Sequence, residues 1–361
     1  MNQFVATALV SVSDSGPIID AVCEHLAEHD ARIEREGTAH TVTFPFGRGI
    51  LREQPGGIEL RAESADLSGL YYMRMALAGH IKHFAKPAVP DLTWIGDGSD
   101  LVTPPNFRPA KVRKVQTITP HMRRVTFTGA DLDRFAVNDS LHLGLIIPRE
   151  GEGLVWPSVG GDGLLRWPED KPRPAIRRYT TRRCDPTIGE LDIDFVLHAD
   201  AGPGAAFAQR AKEGDMVGFA GPFGGSIRSD RDWYLIGGDE TALPAIARSL
   251  EAFPASKRGV AFIEVEGAQE EQAIDNRTGI EIRWLHRNGA EPGVLLAEAV
   301  RQAALPNDGT SYFVWTACEF DSFKSIRAHL RKERGLSRDD HLAVAYWRKG
   351  HAEADEDGDD H

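Results

Sequence analysis

At Asp232 the hydrophobic pattern of this chain changes period. Downstream, short apolar runs at Trp233–Ile236, Val260–Val265, Ile280–Leu285, Tyr312–Ala317 and Leu342–Trp347 read as strands. Helical segments at Ala242–Phe253, Pro292–Ala304 and Phe320–Arg334 fall between them. Strands joined by helices pair in parallel, because the crossover has to return to the same end of the sheet. Such a sheet takes its ligands at the carboxyl ends of the strands. The exit turns Gly237–Thr241 and Thr316–Glu319 are therefore the candidate ligand positions. No G-x-G-x-x-G occurs there, so the plain dinucleotide fingerprint is missing. Pro244 falls in the first turn of its helix, where the lost N–H has no intrahelical partner anyway.

Upstream of Asp232 the pattern is strand after strand. Lys111–Ile118 and Met122–Thr128 flank the turn Thr119-Pro120-His121, and Leu141–Ile147 is nearly all apolar. Arg177–Arg182, Leu191–Leu197 and Met216–Ala220 bring the count to six. Residues 1–96 form a separate unit: strand, helix, three short strands, helix, a small α+β sandwich. Within it His25 and His29 are one helical turn apart, as a metal pair would be. A solvated helix face is the simpler reading, and the same holds for His80 and His83. Residues 97–108 read as a proline-marked linker, and 351–361 as an acidic disordered tail.

One of the six strands carries unusual chemistry. Arg177-Arg178-Tyr179-Thr180-Thr181-Arg182 offers a ring that can stack on a flavin, a hydroxyl that can donate or accept at the ring edge, and guanidiniums that fork around phosphate oxygens. An ordinary basic barrel strand is the alternative. After the next strand come His198, Ala199-Asp200-Ala201 and Gly202-Pro203-Gly204-Ala205, opening a helix. Glycine there lets a pyrophosphate approach backbone N–H groups at the positive end of the helix dipole. These are the parts a bound FAD needs.

The segment resembles the siderophore-interacting proteins, FAD-dependent ferric-siderophore reductases of the ferredoxin-reductase superfamily. Further motifs of that pattern follow in order: Gly221-Pro222-Phe223-Gly224-Gly225, Gly238–Ile246, Trp315–Glu319 and Tyr346–Gly350. The resemblance spans roughly residues 105–350 and implies two parts beyond the N-terminal α+β sandwich. These are a six-stranded antiparallel FAD-binding barrel over 109–228 and an NAD(P)-binding-like α/β domain over 229–350. The first unit resembles a small bacterial family of unknown function, an accessory module for docking, regulation or homodimerisation. Cofactor contacts are expected from Arg177, Tyr179, Thr180, Thr181, Arg182, His198, Gly202, Pro203, Gly204, Ala205, Asp239, Glu240 and Thr241. Arg183, Arg348 and Lys349 are candidate contacts to an anionic ferric siderophore. No catalytic acid–base pair and no metal ligand of the protein's own is expected, because the cofactor carries the redox chemistry.

Departures from the family pattern qualify this. Ala205 stands where a hydroxyl often is, so pyrophosphate contacts there fall to backbone. Cys318 in place of glycine is expected to crowd the nicotinamide approach. Glu264 and Glu266 near the end of the second parallel strand disfavour a 2′-phosphate and point to NADH over NADPH. The Pro- and Gly-rich stretch 148–175 reads either as a flank of the adenine and the chelate entrance or as a surface excursion.

Composition closes off other classes. A net charge of −12 makes nucleic acid an unlikely partner. Cys23, Cys184 and Cys318 are scattered, giving neither a disulfide framework nor a C-x-x-C site. No signal peptide is evident at Met1-Asn2-Gln3-Phe4 and no apolar run spans a membrane, so a cytoplasmic reductase is expected. The competing functions are a flavin reductase acting on a protein or quinone acceptor, and a ferric-chelate binding or sensing protein without turnover.

Overall fold

The computed structural model describes residues 3–29, 31–87, 89–198 and 202–351. The chain forms two compact units. The first runs to Phe107 and takes in Gly153–Arg173; the second comprises Arg108–Glu152 and the chain from Pro174 onward.

The first unit contains β1 (Phe4–Ser11), α1 (Ser15–Glu28), β2 (Arg32–Glu36), β3 (Ala39–Phe44), β4 (Gly47–Gln54), β5 (Gly57–Ser64), α2 (Leu67–Phe84) and β6 (Ile95–Gly96). The strands form one sheet in the order β2-β3-β4-β5-β1-β6. Both helices bury Ile19, Val22, Leu26, Leu70, Met73 and Leu77 in one core with Val10, Leu51 and Leu60. The sequence reading missed β2. Arg32-Ile33-Glu34-Arg35-Glu36 has no apolar alternation because it is an edge strand, where charge guards against further pairing.

Of the four histidines read above as lying on a solvated face, only His83 is exposed. His25 and His29 are half-buried, with Nε2 atoms 3.2 Å apart. The His80 ring on α2 lies 5.1 Å from that of His25. Among the described residues no group of three or more His, Cys, Asp or Glu has the geometry to hold a metal.

Of the stretch 148–175, read above as either a flank of the adenine or a surface excursion, residues 153–173 belong to the first unit. Its hairpin, β10 (Ser158–Val159) and β11 (Leu165–Arg166), is tied there by the Trp94 indole N–H to the Asp162 carbonyl at 2.9 Å. Lys82 bonds the Asp162 carboxylate at 2.6 Å, and Leu164 packs against the core. A run of loop residues rich in Pro and Gly carries no periodicity from which such a destination could be read.

In the second unit β7 (Phe107–Thr119), β8 (Met122–Gly129), β9 (His142–Ile147), β12 (Ala175–Asp185), β13 (Glu190–Val196) and β14 (Met216–Phe223) close into a barrel in the order β12-β13-β8-β7-β14-β9. Phe127, Leu143, Leu145, Ile193, Phe195 and Phe219 fill it. The helix α3 (Pro203–Arg210) follows β13. Beyond the barrel come β15 (Trp233–Gly238), α4 (Leu243–Ala252), β16 (Arg258–Val265), β17 (Gly279–His286), α5 (Val294–Gln302), β18 (Tyr312–Glu319), α6 (Phe320–Ala328) and β19 (His341–Trp347). All five strands are parallel, in the order β17-β16-β15-β18-β19. Strand order reverses between β15 and β18, and ligands of open α/β sheets bind in the crevice at such a point.

Candidate active site

A cleft of about 1500 Å³ runs from the barrel to the carboxyl ends of the parallel strands. This exceeds the roughly 300–1,000 Å³ of an ordinary small-molecule site, so it has room for more than one ligand.

Pairing of β12 decides which of its residues reach the cleft. Over Ala175–Thr180 it pairs with β9, and from Thr181 onward with β13. Arg177, Arg178, Tyr179 and Thr180 all line the cleft. Beyond Thr180 the register shifts between Thr181 and Arg183, and the remaining candidates turn elsewhere. Thr181 is buried, and its carbonyl accepts from Arg248 at 2.8 Å. Arg182 forms a two-pronged pair with Glu251 of α4 at 2.8 and 2.6 Å. Arg183 donates to Asp192 at 2.8 Å. None of the three, expected above as cofactor contacts (Thr181, Arg182) or a substrate contact (Arg183), lines the cleft.

Tyr179 is half-buried, with its ring 4.5 Å from that of Phe195. It thus rests on the barrel core on one side and lines the cleft. Its hydroxyl abuts Gly204: a Cβ there would lie 1.8 Å from it. Gly204 is demanded by this close approach. Gly202 caps α3 and Pro203 occupies its first turn without an N–H. The N–H groups of Gly204 and Ala205 have no carbonyl within the helix to bond and point from its positive end. Gly202, Pro203, Gly204, Ala205 and the exposed His198 all line the cleft. Residues 199–201, part of the same motif, lie outside the described residues. A stackable ring, a ring-edge hydroxyl at Thr180, two arginines and an open helix N-terminus fit an FAD.

At the other end, Glu240 and Thr241 line the cleft, but Asp239 does not. Asp239 is buried and fastens three strand exits together. It accepts from the Thr241 N–H at 2.9 Å, the Thr241 hydroxyl at 2.5 Å, the Trp347 indole at 2.8 Å and the Glu319 N–H at 3.2 Å. Burial pushes its pKa up to about 6, against the pull of the Thr241 and Trp347 bonds. Asp239, expected above as a cofactor contact, braces the strand exits from behind the cleft wall. Cys318 is also buried, among Leu235, Val260 and Leu296, and does not crowd the cleft. Arg348 and Lys349 do line it. Lys349 pairs with Glu291 at 2.6 Å, and the Arg348 guanidinium lies 4.8 Å from the Phe320 ring centre.

Two features were not foreseen. His142 bonds the Tyr346 hydroxyl at 2.8 Å across the cleft wall, joining barrel to parallel sheet. Burial, then the charges of Arg178 and Arg248, lower its pKa to about 4, so it is neutral near pH 7. Its only signal was a polar residue at the head of an apolar strand. Arg287 follows β17 and grips Glu240 at 2.5 and 2.9 Å; a lone cation past a strand end gave no hint of that.

A closed barrel and a five-stranded parallel sheet thus share one cleft. Comparison with known proteins narrows its role. Residues 231–350 match the siderophore-interacting protein model and 111–226 the siderophore-interacting FAD-binding domain. Residues 7–95 match an uncharacterized protein family conserved in bacteria, DUF2218. The chain is 34% identical over 242 residues to ferric vibriobactin reductase ViuB of Vibrio cholerae, covering 66% of this chain and 88% of that one. It is 31% identical to the NADPH-dependent ferric-chelate reductase of Escherichia coli, covering 67% and 92%. A siderophore utilization protein from T. fusca superposes with a TM-score of 0.60 at 41% identity, over 68% of this chain and 94% of that one. SipS from Aeromonas hydrophila gives 0.59 at 29%, over 69% and 94%. The chain belongs to the siderophore-interacting protein family. It is an FAD-dependent oxidoreductase.

Proposed function

We propose that this protein reduces ferric siderophores, using NAD(P)H through FAD to release Fe(II). The observation that carries this is the single cleft, which places the Tyr179–Gly204 contact, the α3 N-terminus and the β15 exit turn along one continuous surface. FAD held in this cleft would supply the redox chemistry, converting the two electrons of a hydride donor into single electrons, enough for two Fe(III) per coenzyme. The protein's part is positional. Tyr179 offers a face for the ring, Thr180 a hydroxyl at its edge, and Gly204 and Ala205 backbone N–H groups for pyrophosphate. Arg348 and Lys349 hold positive charge at the rim, where an anionic ferric chelate would be drawn in. Loss of an electron's worth of charge attraction at the iron loosens its hard oxygen donors.

The test begins with the visible spectrum of the purified protein. Anaerobic NADH or NADPH should bleach the flavin bands, and a ferric siderophore added next should restore them while a ferrous-specific chelator colours. Reoxidation by quinones or a protein acceptor, with ferric chelates inert, would overturn the proposal.

A further inference from the structure

We propose that the nucleotide end of the cleft selects against a 2′-phosphate, so that NADH, not NADPH, is the reductant, with Glu266 the discriminating residue. This rests on the reductase function proposed above. In the order β17-β16-β15-β18-β19, β16 is the second strand, beside the first. In dinucleotide folds an acidic side chain reached after the first βα turn holds the ribose 2′-hydroxyl, and an arginine there accommodates a 2′-phosphate. This protein places both kinds of group at that corner, and their pairing decides between them.

Glu264, at the end of β16, is fully buried and committed. It accepts from the N–H groups of Gly293 at 2.6 Å and Leu296 at 2.8 Å, capping α5. Glu240 holds Arg287 in a two-pronged bond at 2.5 and 2.9 Å. Arg287 also reaches Glu264 at 3.3 Å and Glu266 at 3.5 Å, and its side chain is only 9% exposed. One guanidinium among three carboxylates leaves this corner about two charges negative. Glu266 is the open member: its side chain is 35% exposed, it lines the cleft, and it accepts from the Gly289 N–H at 2.8 Å. A ribose hydroxyl can donate to its remaining lone pairs. A 2′-phosphate brings roughly one and a half to two further negative charges, as any phosphomonoester does at neutral pH. Arg287 cannot turn to meet it without breaking its pair with the largely buried Glu240, which is strongly unfavourable.

The experiment is calorimetric titration of the FAD-loaded protein with NAD⁺ and with NADP⁺, paired with anaerobic stopped-flow bleaching by NADH and NADPH. We expect NAD⁺ to bind at least about tenfold more tightly, some 1.4 kcal/mol. Glu266→Gln should shrink that ratio several-fold by weakening NAD⁺ and admitting NADP⁺, with an unchanged visible spectrum and melting temperature. Equal binding of the two, tighter NADP⁺, binding of neither, or a ratio unmoved in Glu266→Gln overturns the inference. The two proposals fail separately. Equal bleaching by both coenzymes with ferric-siderophore turnover sinks the selectivity and leaves the reductase. NAD⁺-selective binding without bleaching leaves the selectivity and sinks the reductase.

Discussion

Gly204→Ala should dislodge the ring on which flavin binding depends. An ideal Cβ at this position lies 1.8 Å from the Tyr179 hydroxyl and 2.9 Å from the adjoining ring carbon, where real contacts do not fall under 3.0 Å. The hydroxyl must therefore recede by at least about 1.2 Å, the difference between 3.0 and 1.8 Å. Phe195 backs the ring at 4.5 Å, so the displacement goes into the cleft, into the space a stacked isoalloxazine would use. Overpacking of this kind costs about 1–3 kcal/mol. If that falls on the bound state, the FAD dissociation constant rises roughly 5- to 150-fold. Titrating apoprotein with FAD by flavin fluorescence reads this directly, with melting of the apoprotein as the folding control. The coupled variant discriminates further. Tyr179→Phe removes the atom at 1.8 Å and leaves a carbon almost at contact distance, so Tyr179→Phe/Gly204→Ala should bind FAD far better than the sum of the single losses allows. If Gly204→Ala binds FAD within twofold of the parent, or the two substitutions add without coupling, the placement of the flavin against Tyr179 is wrong.

Three further outcomes can be checked. Asp239, with a folded pKa near 6, binds more protons folded than unfolded between about pH 4 and 6, so its contribution to stability falls as pH rises through that window by about 3 kcal/mol. Urea midpoints of Asp239→Asn should then close on those of the parent between pH 4 and 7; a gap that stays constant with pH disproves the shift. Burial, followed by repulsion from His25, His29 and His83, lowers the pKa of His80 despite its bond to the Ala76 carbonyl. The folded state binds fewer protons than the unfolded one just below the ordinary histidine pKa of about 6.5, so α1 and α2 lose stability as pH falls through it. Their amides should exchange faster at pH 5.5 than at pH 7.5 after correction for intrinsic rates, and His80→Leu should flatten the difference. Finally, deleting residues 1–96 removes Lys82 and Trp94 from Asp162 and uncovers Leu164. Soluble yield should collapse, and recover when residues 153–173 are also replaced by a short Gly–Ser linker; equal yield from both deletions contradicts the assignment of that hairpin to the first unit.

Much of this architecture was legible along the chain because its cause is local. The barrel strands are written in two-residue alternation, the parallel strands in short apolar runs between helices of near-four-residue period, and the glycine at 204 in a helix start. A strand whose two flanks pair differently along its length is another matter. The sequence predicts alternation through Arg177–Arg182, yet which arginines face the ligand depends on β9 and β13, drawn from distant stretches. That is why Arg182 and Arg183 went to Glu251 and Asp192 while Arg177 and Arg178 reached the cleft. The same cause hides His142 against Tyr346, Arg287 among three carboxylates, and the destination of residues 153–173. Periodicity records which face of an element is buried. It carries no record of which charge, from another part of the chain, will be waiting there, because long-range pairing is set by packing and not by neighbours in sequence.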